Sequence, residues 1–159
     1  MSAPFCGADF LINNVIIDLM IIKKMRNKYV ICLKKGEEIM ASLKKIAKNN
    51  KLKAGFMIGL GAASKIEIAF FDVKKKKYIT KKINHQHEIT SFIGNIAKLE
   101  SGELILHAHV NLTNADFKAI GGHLIAAVVS GTFESLIIPL TGNLSRKFDS
   151  ESGLKVLDF

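Results

Sequence analysis

Most of this chain is written in short runs of alternating apolar and polar residues, cut by glycines, asparagines and lysine clusters. Residues 29–33 form one such β-type run, ending at Lys34-Lys35-Gly36. Residues 37–49 change period. Ile39, Met40, Leu43, Ile46 and Ala47 make one apolar stripe, with Lys44, Lys45 and Lys48 mostly off it, which predicts an amphipathic helix. Two acids at its start and lysines later suit the helix dipole. Residues 54–58 read as a buried strand, and Gly59 through Ser64 as a small-residue turn. Ile66, Ile68 and Phe70 alternate in the next strand, and residues 78–83 answer it, giving a hairpin with the lysine-rich tip Lys74, Lys75, Lys76 and Lys77. Further strands are predicted at 89–97, 103–112, 124–129 and 133–140, with Gly102 and Gly121-Gly122 as punctuation and Pro139 as a stop. The tail beyond is short and mixed. Many strands, one strong helix and no βαβ rhythm predict an α+β fold with a mainly antiparallel sheet in a single domain.

The N-terminal segment stands apart. Residues 10–22 are apolar with Leu11, Val15, Leu19 and Ile22 at helical spacing, yet too short for a bilayer and without the flanks of a signal peptide. They read as a short amphipathic helix, or as peripheral sequence ahead of a natural start at Met20 or Met25. The expected division is an extension over 1–25, helical or peripheral, and a domain over 26–159.

Charge refines the picture. The 159 residues carry 23 basic and 14 acidic side chains, net +9, and only Arg26 and Arg146 among the bases are arginine. A basic chain suggests nucleic acid or an anionic surface. Scarce arginine weakens that reading, because bidentate contacts to phosphates and bases favour arginine. The surplus is local: residues 20–82 hold +14, whereas residues 83–159 hold −3. Two cysteines, Cys6 and Cys32, fit neither a disulfide framework nor a metal motif, so a reducing, cytoplasmic setting without membrane insertion is expected.

The candidate chemistry lies in the acidic half. His107 and His109 flank Ala108 in a predicted strand, so their rings leave one face about 7 Å apart and can converge on one ion. His123, after Gly121-Gly122, can complete a facial set. Three neutral nitrogen ligands leave a fourth position for water, as in catalytic zinc sites. Hydrogen-bonded pocket histidines fit the same spacing, and spacing alone leaves both readings open. His85-Gln86-His87 reads as surface hairpin. Glu88, at a strand start, is either solvated or a base facing a site. The lysine tip can touch phosphates, but it also suits simple solvation and protection of an edge.

Taken in order, five segments resemble the PPC (plants and prokaryotes conserved) domain family: Leu33-Lys34-Lys35-Gly36-Glu37, Ile58 through Ser64, Glu88 through Ala97, Leu106-His107-Ala108-His109-Val110, and Gly121-Gly122-His123-Leu124. The resemblance runs from about Tyr29 to about Leu140. It implies a compact domain assembled as a homotrimer, with Zn2+ held by His107, His109 and His123. Gly61, Ser64, Glu88, Asn95, Gly121 and Gly122 match family positions expected at that cleft or at the trimer contact. The fold also resembles acetolactate decarboxylase, a likeness of fold that transfers no reaction. Plant relatives bind AT-rich DNA through Arg-Gly-Arg-Pro hooks, which this chain lacks, so any DNA contact falls to the lysine-rich half. Two functions are expected in turn: a homotrimeric regulatory or DNA-associated module with a three-histidine metal site, or a zinc-dependent lyase or hydrolase of a small molecule with Glu88 as base.

Overall fold

The computed structural model describes residues 20–158. The apolar stripe becomes helix α1 (Ile39–Asn49), which buries Ile39, Leu43, Ile46 and Ala47. Its two acids precede the helix rather than occupying its first turn. Glu38 is the N-cap, and its carboxylate accepts from the backbone N–H of Met40 at 3.2 Å and of Ala41 at 2.5 Å. Beyond capping, Glu38 also accepts from Ala127 N–H at 3.0 Å, fastening the helix start to the sheet.

Nine strands surround the helix: β1 (Ile21–Met25), β2 (Lys28–Lys34), β3 (Gly55–Asp72), β4 (Lys77–Ile83), β5 (His87–Leu99), β6 (Leu104–Thr113), β7 (Ala119–Pro139), β8 (Ser145–Asp149) and β9 (Leu154–Asp158). Strand β3 pairs with β5 and β7, and β6 pairs with the same two strands, so the four long strands close into a ring. Strands β2 and then β1 extend the sheet from β7, β4 lines β3, and β8–β9 attach to the end of β5. Every pairing is antiparallel except the short β5–β8 contact. This is the expected α+β architecture with a mainly antiparallel sheet. The core lies between α1 and the ring, with Phe92 and Phe133 in edge contact at 5.3 Å. No helix among the described residues is long and apolar enough to cross a membrane.

Four expectations change. The small residues 59–64 form no turn; they lie inside β3, where the register shifts between Gly59 and Gly61. Gly61 has φ +153°, and a Cβ there would meet Thr132 O at 2.2 Å, so glycine lets β3 approach β7. Gly121 and Gly122 likewise lie inside one long strand, β7, which merges the two strands predicted at 124–129 and 133–140. The mixed tail is the β8–β9 hairpin. Ile22 belongs to a strand, not a helix: β1, in residues assigned to the extension, pairs with β2 at the sheet edge. Leu11, Val15 and Leu19 lie outside the described residues.

The squeeze on β7 is testable. A Cβ at Gly122 would stand 2.7 Å from the Ala69 carbonyl oxygen, whereas one at Gly131 meets only Ala62 Cβ at 3.7 Å. In urea unfolding, Gly122→Ala is expected to lower stability by about 1–3 kcal/mol, as for other forced insertions into packed structure. Gly131→Ala is expected to fall within about 0.5 kcal/mol of the parent. Equal effects would contradict the account of close strand approach.

Candidate metal centre

Alternation along β6 sends Ala108 and Val110 into the core and His107 and His109 to the opposite face. Closure of the ring does the rest. In the β6–β7 ladder His109 stands directly opposite His123, and on its other side His123 pairs with Ala69 of β3. One candidate ligand atom from each of the three side chains lies within 4.8 Å of the others. The rings meet at centroid distances of 5.0, 5.1 and 5.5 Å. His109 is exposed and the other two are half-buried, so the cluster opens to solvent on the His109 side.

Two residues that sequence reasoning missed complete the surroundings. Arg146, from β8, is only 8% exposed. Its Nη1 donates to the Lys155 carbonyl at 2.6 Å, and its Nη2 to Asn95 Oδ1 at 2.9 Å and to His107 Nδ1 at 3.1 Å. Tyr78, from β4, lies over His123 with ring centroids 5.3 Å apart, and packs edge-on against Phe71. The two hairpins that deliver them touch at their tips, where Lys76 Nζ donates to the Ser150 carbonyl at 2.6 Å. The one available signal was that Arg146 is an arginine in a chain that otherwise uses lysine.

The electrostatics hold two of the imidazoles neutral, those of His107 and His123. Burial, then Arg146, His123 and His109, bring the His107 pKa down to about 4. Burial, then His109 and Arg146, lower that of His123. Neutral imidazole is the form that binds a metal. His123 Nδ1 is buried with no hydrogen-bond partner, an orphan lone pair or N–H of the kind a ligand relieves. Three imidazoles on paired strands, two of them held neutral, therefore fit a divalent ion, with two adjustments. Ligands on a tetrahedral zinc sit about 3.3 Å apart, so the side chains must draw together. A guanidinium only donates, so His107 Nδ1 is an acceptor and its proton sits on Nε2. Metal binding by neutral His107 would break the Arg146 contact at either nitrogen: binding at Nδ1 would use the lone pair Arg146 donates to, and binding at Nε2 would move the proton onto Nδ1.

The remaining candidates divide. Asn95 stands opposite His107 and reaches the cluster through Arg146. Gly121 and Gly122 belong to it as the residues that let β7 approach its neighbours. Glu88, Gly61 and Ser64 do not reach it. Glu88 is exposed and opposite Thr113, which is roughly 13 Å along β6 from His109 at strand spacing. Gly61 and Ser64 lie beside it, on the same stretch of β3 that pairs with the start of β5. His87 is buried rather than on the surface; its ring lies 4.8 Å from that of His85, away from the cluster. All four lysines of the tip are exposed; Lys75 pairs with Asp72 at 3.4 Å and Lys76 donates to the Ser150 carbonyl.

The family described as Plants and Prokaryotes Conserved (PCC) domain matches residues 20–141. Among solved structures, a candidate DNA-binding protein from Bacteroides thetaiotaomicron is 30% identical, with a TM-score of 0.84 over 88% of this chain and 97% of the other. A candidate DNA-binding protein from Ralstonia eutropha JMP134 is 27% identical, with a TM-score of 0.81 over 87% and 95%. A metal-containing protein from Archaeoglobus fulgidus is 26% identical, with a TM-score of 0.76 over 89% and 98%. A comparison with curated proteins finds no match.

The depressed histidines set a pH dependence for the metal-free protein. The unfolded chain protonates His107 near pH 6.5 and the folded chain only near 4, so between these values the unfolded state binds more protons. Their contribution to stability is full above pH 6.5 and falls as the pH drops toward 4, by at most about 1.4 kcal/mol per pH unit for each histidine. His107→Gln is expected to flatten that slope in urea titrations at pH 7, 6 and 5. An unchanged slope would show that His107 is not held neutral.

Proposed function

Because this chain belongs to the Plants and Prokaryotes Conserved (PCC) domain family, we propose that it is a homotrimeric, DNA-associated binding module whose three histidines hold a divalent metal ion. The observation that carries the reading is the cluster itself: His107, His109 and His123, whose ligand atoms ring closure brings within 4.8 Å of one another, with His107 and His123 kept neutral by burial. Zinc suits an all-imidazole set, and when bound it would supply a Lewis acid with an open position. A structural neighbour described as a metal-containing protein supports the ion.

Self-association is supported by the outer face of the sheet. Val30, Leu136, Ile58, Ile93 and His109 stand opposite one another in a single row across β2, β7, β3, β5 and β6. Directly paired residues share a face, so this row is an apolar stripe that ends at the metal cluster. Val30, Ile58 and Ile93 are exposed in the single chain, as are Phe56 and Leu60, and they line or flank a groove of about 440 Å3. An apolar surface of this kind on a soluble domain marks an interface. The occupant proposed here is two further copies of the chain. DNA association rests on the neighbours described as candidate DNA-binding proteins and on the +14 carried by residues 20–82. Lys74, Lys75, Lys76 and Lys77 are all exposed, and Lys74 and Lys77 are the two with neither the Asp72 pair nor the Ser150 contact to give up for a phosphate. The reading assigns the protein to the cytoplasm.

The second reading is a zinc-dependent lyase or hydrolase. The open coordination position favours it, but Glu88 is too distant within the chain to serve as its base.

Protein expressed with zinc is expected to carry about one ion per chain, and His109→Ala, at the exposed corner of the cluster, to lose it. Elemental analysis reads this directly. Light scattering is expected to give a trimer, and Ile58→Asp a folded monomer, since Ile58 is exposed in the lone chain. The intact trimer should shift duplex DNA at low salt and release it as salt rises. A metal-free wild type, an unaltered Ile58→Asp assembly, or no shift at any salt would each remove the corresponding part.

A further inference from the structure

Arg146 is a buried cation with no acid to answer it among the described residues. It is 8% exposed, and the ion pairs among the described residues join Lys44 to Glu103, Lys75 to Asp72 and Lys147 to Asp158. Its own partners are a carbonyl, an amide oxygen and an imidazole nitrogen, all neutral. Its Nε–H is buried with no partner at all. The groups that bear on His107, His123 and Arg146 are one another, His109 and the Tyr78 phenol; no carboxylate is among them. Burying an uncompensated guanidinium is costly, and such a charge is ordinarily paired. Among the described residues the pairing partner is missing, and beside the charge lies a cluster open to solvent through His109.

We propose that the three-histidine cluster and Arg146 together form a receptor for a small-molecule carboxylate, with Arg146 supplying the positive charge and Tyr78 walling the site on the His123 side. This deepens the metal reading above and takes the ion as a second positive charge, but its argument starts from Arg146. The charge count selects the ligand class. In the metal-free site one guanidinium is the whole positive charge and matches a single negative charge, whereas phosphate dianions draw on several cations or backbone donors. The burial of Arg146 also excludes the DNA backbone as its partner, because a polymer phosphate cannot enter a site that shows so little of the side chain. Any DNA is held by the lysine surface, and the cluster serves a different ligand.

Calorimetric titration with acetate, acetamide and inorganic phosphate tests this, on wild type stripped of metal and on wild type loaded with zinc. Acetate is expected to bind both forms, more tightly with zinc, and at least tenfold more tightly than acetamide, which has the same shape without the charge. In the metal-free form phosphate is expected to bind more weakly than acetate. Arg146→Gln should weaken acetate at least tenfold while zinc uptake persists, and Arg146→Lys should recover part of the loss. The acetate-to-acetamide ratio in wild type decides the matter even if Arg146→Gln does not fold. Equal binding of acetate and acetamide, phosphate binding more tightly than acetate in the metal-free form, undiminished acetate binding by folded Arg146→Gln, or no acetate binding in either form would overturn the proposal. Acetate binding that depends on Arg146 in a protein that takes up no zinc would sustain it and remove the metal reading alone.

Discussion

The structure depends on one strand being shared. Strand β7 is hydrogen-bonded to β3 along most of its length and to β6 at its start, and it can serve both only because Gly121 and Gly122 present no side chain to the carbonyls of Val110 and Ala69. That close approach closes the four-strand ring. Closure in turn fixes His123 opposite His109, and the two-residue period of β6 fixes His107 beside them. The cluster is thus a consequence of backbone packing. No loop has to be ordered to assemble it, and its geometry is as rigid as the ladder that carries it.

The distribution of charge follows a similar division. Lysines sit on the exposed side of α1 and on the β3–β4 hairpin, where water solvates them at little cost. Arginine is used where planarity and several directed donors matter: Arg146 holds Asn95, His107 and the Lys155 carbonyl at once. The net +9 therefore says little about the cluster, where one buried guanidinium and three imidazoles set the local field. A surface of lysines and a buried arginine favour different ligands, a polyanion outside and a compact anion within.

Much of this could be read from the chain. The helix showed in its apolar stripe, the β3–β4 hairpin in the alternation of Ile66, Ile68 and Phe70, and the shared face of His107 and His109 in the period of a strand. The glycines misled, because a turn and a close strand approach ask for the same residue. Gly59, Gly61, Gly121 and Gly122 all lie inside strands, two of them at register shifts. Arg146 and Tyr78 left almost no local trace. They reach the cluster from 39 and 45 positions away along the chain, Arg146 measured to His107 and Tyr78 to His123, and only the folded ladder brings them there. Glu88 carried the opposite risk: a suggestive acid next to a histidine motif in sequence, yet separated from the cluster by several strand residues in space.

The central claim is that backbone closure builds a three-imidazole site for a metal ion. X-ray absorption at the zinc edge of the loaded protein tests it most directly, since it counts the donors around the ion. The account requires three imidazole nitrogens at about 2.0–2.1 Å, with one further oxygen or nitrogen ligand completing the shell. A shell dominated by oxygen or sulfur, or a spectrum unchanged by replacing His107 and His123 together, would contradict it.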